Sequence, residues 1–584
     1  MIDPAPDPRQ QVLDAEGHVL VLGGAGSGKT TIALRKAIRR IDERLLPGQS
    51  VLFLSFSRAA VARIGQASKT EAPKEKQSQL AVQTFHSFCW ELLRSHGYLL
   101  GAPKRLQILP PHDERALSGG VKPGSAEWAE WEEERDRLFR GEGKVVFDLF
   151  APGVAELLAR ASLLRDLVAR RFPLVIVDEA QDTGPDAWRC IEILAPFTQI
   201  ICLADLEQQI FDHLPGVGPE RIARIEEALK PLRVDLGAQN NRSAGTEIAA
   251  FANDILSGEV RGGPYTGVSK RIYDPKATPL VKLMRIAIGM IWQKIEKETG
   301  QPPDSCALLA PTGSSVARIS AALSSGERPI PHKVLFDEAE ALLASRLAAF
   351  LLEPKAVASH DADVAQCLEL LAAVQRARGS KSALGQAANL LKWAEQAQQG
   401  KKTKTIMVTT VDDLVAAARG LQLTGDPRKD WLLVKALLRA STHAGITAIA
   451  GHLDYLVAFN RGRRIAANLS AMWTSLGCYV KAREALDDAL VEDQILSGAE
   501  DLTGIHVMTI HRSKAKQFDG VIIFREGRPV GPKAWESSFV WRGDTHPHHR
   551  SRRILRVAVT RARRHVLILD PAYPVCPIIS PFKL

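Results

Sequence analysis

The stretch that most constrains this chain is Gly23-Gly24-Ala25-Gly26-Ser27-Gly28-Lys29-Thr30-Thr31. The apolar run 18–22 before it reads as a buried strand, and residues 32–38 after it read as a helix. Strand, glycine-rich loop ending in Gly-Lys-Thr, then helix is the phosphate-binding P-loop. Glycines let consecutive backbone N–H groups curl around phosphate oxygens, and the helix N-terminus adds partial positive charge. Lys29 reaches the β- and γ-phosphates, and Thr30 offers a hydroxyl to Mg²⁺. A glycine-rich turn that binds nothing has no need of the terminal Lys-Thr or of the strand and helix around it. A nucleoside triphosphate site is therefore expected.

A length of 584 residues exceeds what one core holds, since cores stop growing at roughly 250–300 residues. Several domains are expected. The seven cysteines are dispersed with no CxxC pair, which argues against a disulfide or zinc framework and for reduced thiols in the cytoplasm. No apolar run is long enough to span a bilayer, and residues 1–7 lack the basic head and apolar segment of an export signal. The net charge of +10 permits a polyanionic partner without identifying one.

Further along, residues 51–56 form a second buried-type strand, and residues 57–61 open a helix. Residues 82–88 lead into a helix through Leu93. Phe56 and Phe85 fall at strand-to-helix turns, where an aromatic either packs into the core or stacks on a base. Residues 97–145 read as an inserted helical subdomain, with a charged helix over 127–139, and residues 154–170 read as one amphipathic helix. Leu174-Val-Ile-Val-Asp-Glu-Ala-Gln-Asp182 reads as a strand ending at an acidic site. In P-loop enzymes the strand-end aspartate holds Mg²⁺, which suits Asp178; Glu179 suits the group that orients and deprotonates the attacking water. Residues 199–204 form another strand, ending at Asp205, with Gln208 placed to sense the γ-phosphate. Arg242, before a helix over 246–256, is a candidate charge-stabilising arginine. A second α/β pattern begins at Cys306, and residues 338–500 are nearly all helical. The basic clusters 399–404 and 461–464 read as solvated loops or DNA contacts. Strand pattern returns over 504–511 and 518–524. The arginine-rich stretch 550–564 then reads as a helix that faces DNA or supplies a finger to a triphosphate, before a strand at 566–569. His546, His548 and His549 have no cysteine or carboxylate partners at ligand spacing and are not assigned to a metal.

Taken in order, these motifs resemble the Rep/PcrA/UvrD-like branch of superfamily 1 (1A) helicases: Gln10; 23–31; Ser55 to Ala60; Thr84 to Ser87; Asp178 to Thr183; Asp205 with Gln208; Asn240 to Ser243; Thr509-Ile-His511 with Lys514 and Phe518; and Val557 to Ala562. The resemblance implies an α/β fold of two RecA-like P-loop lobes, parallel sheets flanked by helices, each with a mainly helical insertion. The boundaries expected are 1–88 and 151–236 for the first lobe with insertion 89–150, and 237–345 and 503–584 for the second with insertion 346–502. It implies ATP and Mg²⁺ between the lobes. Lys29, Asp178, Glu179, Gln208, Arg242 and Arg561 would be catalytic. Gln10, Gly23, Gly24, Ala25, Gly26, Ser27, Gly28, Lys29, Thr30, Thr31, Arg242, Gln517 and Arg561 would hold nucleotide, and Thr30 and Asp178 the metal. Single-stranded DNA would meet Phe56, Arg58, Thr84, Phe85, His86, Phe211, His213, Thr509 and His511. The activity implied is ATP-dependent 3′–5′ DNA helicase and translocase action on single strands and duplex/single-strand junctions.

Several positions depart from the family pattern. Thr31 and Asn241 stand where an arginine and a tyrosine hold the adenine, which loosens the expected base selectivity. His213-Leu214 replaces an aromatic-arginine pair, and Ala515-Lys516-Gln517 replaces Gly-Leu-Glu, with Gln517 still able to hydrogen-bond to the ribose. Residues 570–584 are too short for the family's strand-separating hairpin or a nuclease domain, so translocation is expected above robust unwinding. In size and departures the chain also resembles compact phage-defence (Gabija-like) members. That resemblance implies the alternative of an ATP-gated DNA-sensing subunit that regulates a partner nuclease.

Overall fold

In the computed structural model, the described residues are 7–584 without 25, 56–57, 72, 74, 120, 122–123, 206–218, 238–244, 326–327, 336–338, 379–380, 402, 455–462, 496–501, 515 and 531–533. By contacts the chain divides into two units. One comprises Met1–Glu91, Ala151–Phe336 and Gly498–Leu584; the other comprises Leu92–Phe150 and Asp337–Ser497.

The first unit is α/β and holds two parallel sheets of six strands each. The first sheet uses β1 (Val19–Leu22), β2 (Val51–Ser55) and β3 (Leu80–Thr84). After β4 (Gln107–Leu109) and β5 (Lys144–Val146), a short parallel pair in the other unit, it continues with β6 (Leu174–Val177), β7 (Gln199–Ala204) and β8 (Leu232–Asp235). Its spatial order is β3-β2-β6-β7-β1-β8. Every residue of β1, β2, β6 and β7 is buried. Continuous apolar runs are what a parallel sheet covered on both faces requires, and they made these strands readable in the sequence. The edge strand β8 buries only Val234 and shows no such run. The second sheet uses β9 (Val268–Tyr273), β10 (Ser305–Ala310), β11 (Lys333–Leu335), β12 (Gly504–Thr509) and β13 (Phe518–Phe524). A hairpin of β14 (Gly527–Pro529) and β15 (Trp535–Ser537) stands apart, and β16 (Ala562–Pro571) completes the order β11-β12-β10-β13-β16-β9.

Two expectations of local structure are corrected. The single helix over 154–170 is two, Phe150–Arg160 and Ser162–Arg171, broken at Ala161 with φ −101° and ψ 82°. The break re-aims the apolar stripe: Leu164 and Val168 are buried, while Leu163 and Leu167 stay exposed. The arginine-rich stretch is helical only over His549–Val559, and β16 already starts at Ala562. Arg561 therefore lies in the turn between them, not on the helix.

The second unit is mainly helical. Its largest core joins Leu347 and Phe350, Leu368 and Leu371, Val411 and Val415, Trp431 and Val434, and Tyr479, each from a different helix or turn. A smaller cluster seats Ala116, from Leu92–Phe150, against Leu343, Val374 and Ala377. Beside it Arg346 pairs with both Asp113 and Asp487. Within the main core Asp430 is fully buried, and its carboxylate accepts from Thr424 N (2.7 Å), Thr424 Oγ1 (2.8 Å), Gly425 N (2.9 Å) and Tyr479 Oη (2.7 Å). Gly425 has φ +81°, and a Cβ there would meet the Trp473 ring at 2.3 Å, so only glycine fits this turn.

Asp430→Ala strands these donors, two amides and a hydroxyl of the turn at Thr424 and Gly425 and the hydroxyl of fully buried Tyr479. A loss of about 2–4 kcal/mol is expected in urea unfolding of the whole chain. A change within about 0.5 kcal/mol, the range of ordinary surface substitutions, would contradict this account of the turn.

Candidate functional site

In open parallel sheets, ligands bind beyond the carboxyl ends of the strands, where the connecting loops gather. The P-loop follows β1, the acidic loop follows β6, and Asp205 follows β7. These three strands are neighbours, so three loops distant in sequence meet at one edge. Gly24 N donates to Gly237 O at 3.2 Å, which fastens the P-loop to the segment after β8. Two glycines are dictated by this loop. A Cβ on Gly23 would lie 2.5 Å from Ser27 Oγ, and Gly28 has φ +92° as the residue that leads into the helix Lys29–Arg44.

Lys29 Nζ donates to Gly23 O at 2.6 Å and Gly24 O at 3.0 Å and lies 3.8 Å from Asp205 Oδ2. The same helix anchors the segment before β1. Lys36, buried, donates to Leu13 O at 2.6 Å and Ala15 O at 2.7 Å, satisfying carbonyls at the end of the helix Pro8–Asp14. That contact holds the short N-terminal helix over the P-loop, where Arg9 Nη2 lies 3.4 Å from Ser27 O.

The acidic loop is held from several directions. Asp178 N donates to Leu54 O at 2.9 Å. Glu179 has φ 52° and ψ 45°, a left-handed conformation rare for a side-chain-bearing residue and concentrated at functional sites. Gln181, fully buried, donates to Glu179 Oε2 at 2.6 Å, while its Oε1 accepts from Asp205 N at 3.1 Å. Asp182 accepts from Lys514 of the segment between β12 and β13, so the second sheet's loops reach the acidic loop of the first.

Three carboxyls packed together cannot all ionise without cations. Burial and the Glu179 charge raise Asp178 above the ordinary carboxylate range, against the opposing charges of Arg63 and Lys29. Burial alone would raise Glu179 too. Lys514, Lys29, the Gln181 hydrogen bond and Arg561 outweigh it, and Glu179 lies below its ordinary value. Asp182 is pushed up to about 6 by burial, although Lys514 opposes the shift.

A cavity of about 490 Å³ opens here, within the roughly 300–1,000 Å³ of small-molecule sites. It is lined by Gly26, Ser27, Gly28, Lys29, Thr30, Thr31, Asp178, Glu179 and, from the second sheet's loops, Gln517. Asp178 Oδ2 is buried with no hydrogen-bond partner, and Thr30 shares the cavity. That oxygen donor set fits a hard divalent cation such as Mg²⁺.

Some expected residues lie elsewhere. Gln10 does not line the cavity. It is exposed and donates to Asp14 at 2.9 and 3.0 Å, along its own short helix. Its neighbour Arg9 lines the cavity instead, because the helix turns that side chain toward the P-loop. Phe85 is 4% exposed, so its ring is core and is not offered to a base. Thr84 accepts from Ser87 N at 3.0 Å and so caps the helix Phe85–His96, while His86 is exposed. Thr509 ends β12, and the His511 ring meets Trp541 edge-on at 5.5 Å. Arg561 is 2% exposed and donates to Val557 O, Thr560 Oγ1 and Lys516 O at 2.9, 3.1 and 3.4 Å. Its charge nevertheless acts on Glu179. Ala25, Phe56, Gln208, Phe211, His213 and Arg242 lie outside the described residues, as does the side chain of Arg58.

The sequence reading missed Arg9, Arg35 and Arg63, all of which line the cavity, and the structural work of Gln181 and Lys514. Arg35 carried a signal: it falls one helical turn after Thr31, on the same face. Arg63 carried none, since its approach depends on which strands are neighbours.

Residues 5–134 and 122–216 match the UvrD/REP helicase N-terminal domain family. DNA helicase II of Haemophilus influenzae is 26% identical over 291 residues, covering 43% of this chain and 40% of that protein. The putative ATP-dependent DNA helicase YjcD of Bacillus subtilis is 22% identical over 631 aligned residues, covering 97% of this chain and 78% of its own length. The ATP-dependent DNA helicase PcrA of Staphylococcus aureus is 23% identical over 287 residues, covering 42% and 39%. The chain thus spans about two fifths of DNA helicase II and of PcrA and over three quarters of YjcD. A solved chain titled for DNA unwinding at forked double-stranded DNA by two coordinating Pif1 helicases is 15% identical, with a TM-score of 0.24 over 56% of this chain and 59% of that one, too low to bear on the fold. Residues 5–216 thus match the UvrD/REP helicase N-terminal domain, and the chain is similar to UvrD/Rep/PcrA-like proteins of superfamily 1.

Proposed function

We propose that this protein is an ATP-dependent DNA helicase and translocase that hydrolyses ATP between two RecA-like lobes while moving 3′–5′ on single-stranded DNA. The observation that carries this reading is the meeting of both sheets at one cavity. Lys514 and Gln517, from the loop between β12 and β13, reach the acidic loop and the P-loop cavity of the first sheet. A site shared between two rigid bodies converts ligand contacts into relative movement, because a ligand that touches both favours their closed arrangement. The reading includes residues 89–150 and 346–502 as insertions into the two lobes.

In this mechanism the P-loop amides and Lys29 bind the phosphates. Thr30 and Asp178 would hold Mg²⁺, which neutralises phosphate charge. Glu179 orients the attacking water and takes its proton, a role that requires the ionised carboxylate its surroundings favour. Gln181 fixes its position through the 2.6 Å hydrogen bond. Arg561, and Arg242 with Gln208, belong to the same reading as groups that respond to the terminal phosphate. Thr84, His86, Thr509 and His511 are described side chains assigned to the DNA strand in this reading.

ATP hydrolysis measured with and without single-stranded DNA, beside Lys29→Ala, tests the proposal. Strong stimulation, lost in the variant, is expected; tailed duplexes then read the polarity. Hydrolysis indifferent to DNA would overturn the motor. Glu179→Gln should keep ATP binding and lower kcat by at least about 100-fold; undiminished turnover would remove Glu179 from its role. Lys514→Ala deletes the largest attraction holding Glu179 below its ordinary value. The carboxyl then titrates higher and its ionised fraction falls sooner on acidification. The acid limb of the kcat–pH profile is expected to move to higher pH, and an unmoved limb would show that Lys514 does not set the charge of the base.

A further inference from the structure

Arg63 belongs to none of the motifs that make the sequence legible, yet it lines the cavity. The helix Arg58–Glu71 that carries it follows β2, and β2 lies beside β6, whose end bears Asp178. The hydrogen bond from Asp178 N to Leu54 O holds the two strand ends side by side, so this helix starts next to the acidic loop. Arg63, Ala67 and Glu71 recur at intervals of four and share one helix face. Ala67 packs against the first-sheet core, and Glu71 pairs with Arg35 Nε at 3.5 Å. That face therefore looks toward the helix Lys29–Arg44 and the cavity between them. Arg63 Nη2 stands 4.0 Å from Asp178 Oδ2, with 31% of its side chain exposed against 5% for the aspartate. The separation is beyond hydrogen-bond length and at the edge of ion-pair reach.

We propose that Arg63 is a phosphate-binding arginine supplied by the first lobe itself, contacting the terminal phosphoryl oxygens of a nucleoside triphosphate seated in this cavity. The inference rests on the reading of the cavity as an ATP site and adds a group to it. Asp178 and Glu179 mark the end of the cavity where the terminal phosphate reacts, and Arg63 lies at that end. A planar guanidinium donates two parallel hydrogen bonds to phosphate, which an ammonium does not. The terminal phosphate is the group that a diphosphate lacks, so Arg63 gives the first lobe its own means of telling the two nucleotides apart. Arg561 is held by acceptors next to it in the chain and in the loop before β13.

Equilibrium titration of the full chain, in Mg²⁺, with a fluorescent non-hydrolysable ATP analogue and with the matching ADP tests this without turnover. Arg63→Gln is expected to weaken the triphosphate by about tenfold, the scale of one charge-assisted contact, and the diphosphate by less than about twofold. Arg63→Lys, which keeps the charge and loses the fork, should fall between. Equal loss for both nucleotides, or no loss, overturns the assignment. If Arg63→Gln does not fold, the lysine variant decides: an unchanged triphosphate-to-diphosphate ratio overturns it equally. Lys29→Ala separates the two layers of the argument. Triphosphate binding lost there but intact in Arg63→Gln removes Arg63 alone, whereas a wild-type chain that binds neither nucleotide removes the ATP site and Arg63 with it.

Discussion

The arrangement depends on keeping a cluster of buried carboxylates ionised. Asp178, Glu179 and Asp182 stand within one short loop, and burial works against the charge of each. Only nearby cations make such a loop tolerable, and they come from several parts of the chain: Lys29 from the P-loop, Arg63 from the helix after β2, and Lys514 and Arg561 from the segments around β13 and β16. The consequence reaches beyond stability. A carboxylate whose charge depends on groups carried by a second sheet would change its chemistry if those groups were withdrawn. Separation of Lys514 from Asp182 would leave burial less opposed, and the acids would hold their protons more tightly.

Strand order is what lets this happen. β1, β7, β6 and β2 are consecutive neighbours, and their carboxyl ends deliver the P-loop, Asp205, the acidic loop and the start of the helix Arg58–Glu71 to one edge. The backbone bond from Asp178 to Leu54 and the Gln181 amide, which touches both Glu179 and Asp205, lock these loops in register. Under the proposed function, rigid placement matters because phosphoryl transfer is assisted by positioning and charge more than by covalent chemistry. The left-handed backbone at Glu179 fits that reading, since local strain concentrates at functional sites.

The helical unit follows a different logic. Its helices bury small and medium aliphatic residues against one another, with a fully buried, satisfied carboxylate at Asp430 and a glycine turn pressed on Trp473. No cavity chemistry is needed to explain these residues; packing and satisfied hydrogen bonds suffice. Of the basic clusters noted in the sequence, 399–401 and 403–404 lie in a loop of this unit and 463–464 open the helix Arg463–Leu476, while 402 and 461–462 lie outside the described residues.

The P-loop, the interior strands and Asp178 with Glu179 were legible in the sequence because each is a local pattern. Glycines with a terminal Lys-Thr, continuous apolar runs, and acids at a strand end are written in consecutive residues. The edge strands β8 and β9 were not, since a half-exposed strand lacks the run that betrays a buried one. The break at Ala161 and the position of Arg561 in a turn were decided by packing, which overrode a helical spacing that looked continuous. Family resemblance placed Gln10 and Phe85 at ligands. Tertiary structure turned Arg9 to the cavity in place of the glutamine and buried the phenylalanine. Arg63 and Lys514 are 115 and 332 residues from the carboxylates they face, taking Asp178 and Asp182 as partners. What the sequence determined by itself was a P-loop pattern between a strand and a helix in an α/β chain. Which cations surround it was decided only when parallel strand order brought remote loops to a common edge, because electrostatic neighbours are set by distance in space, and no residue spacing records it.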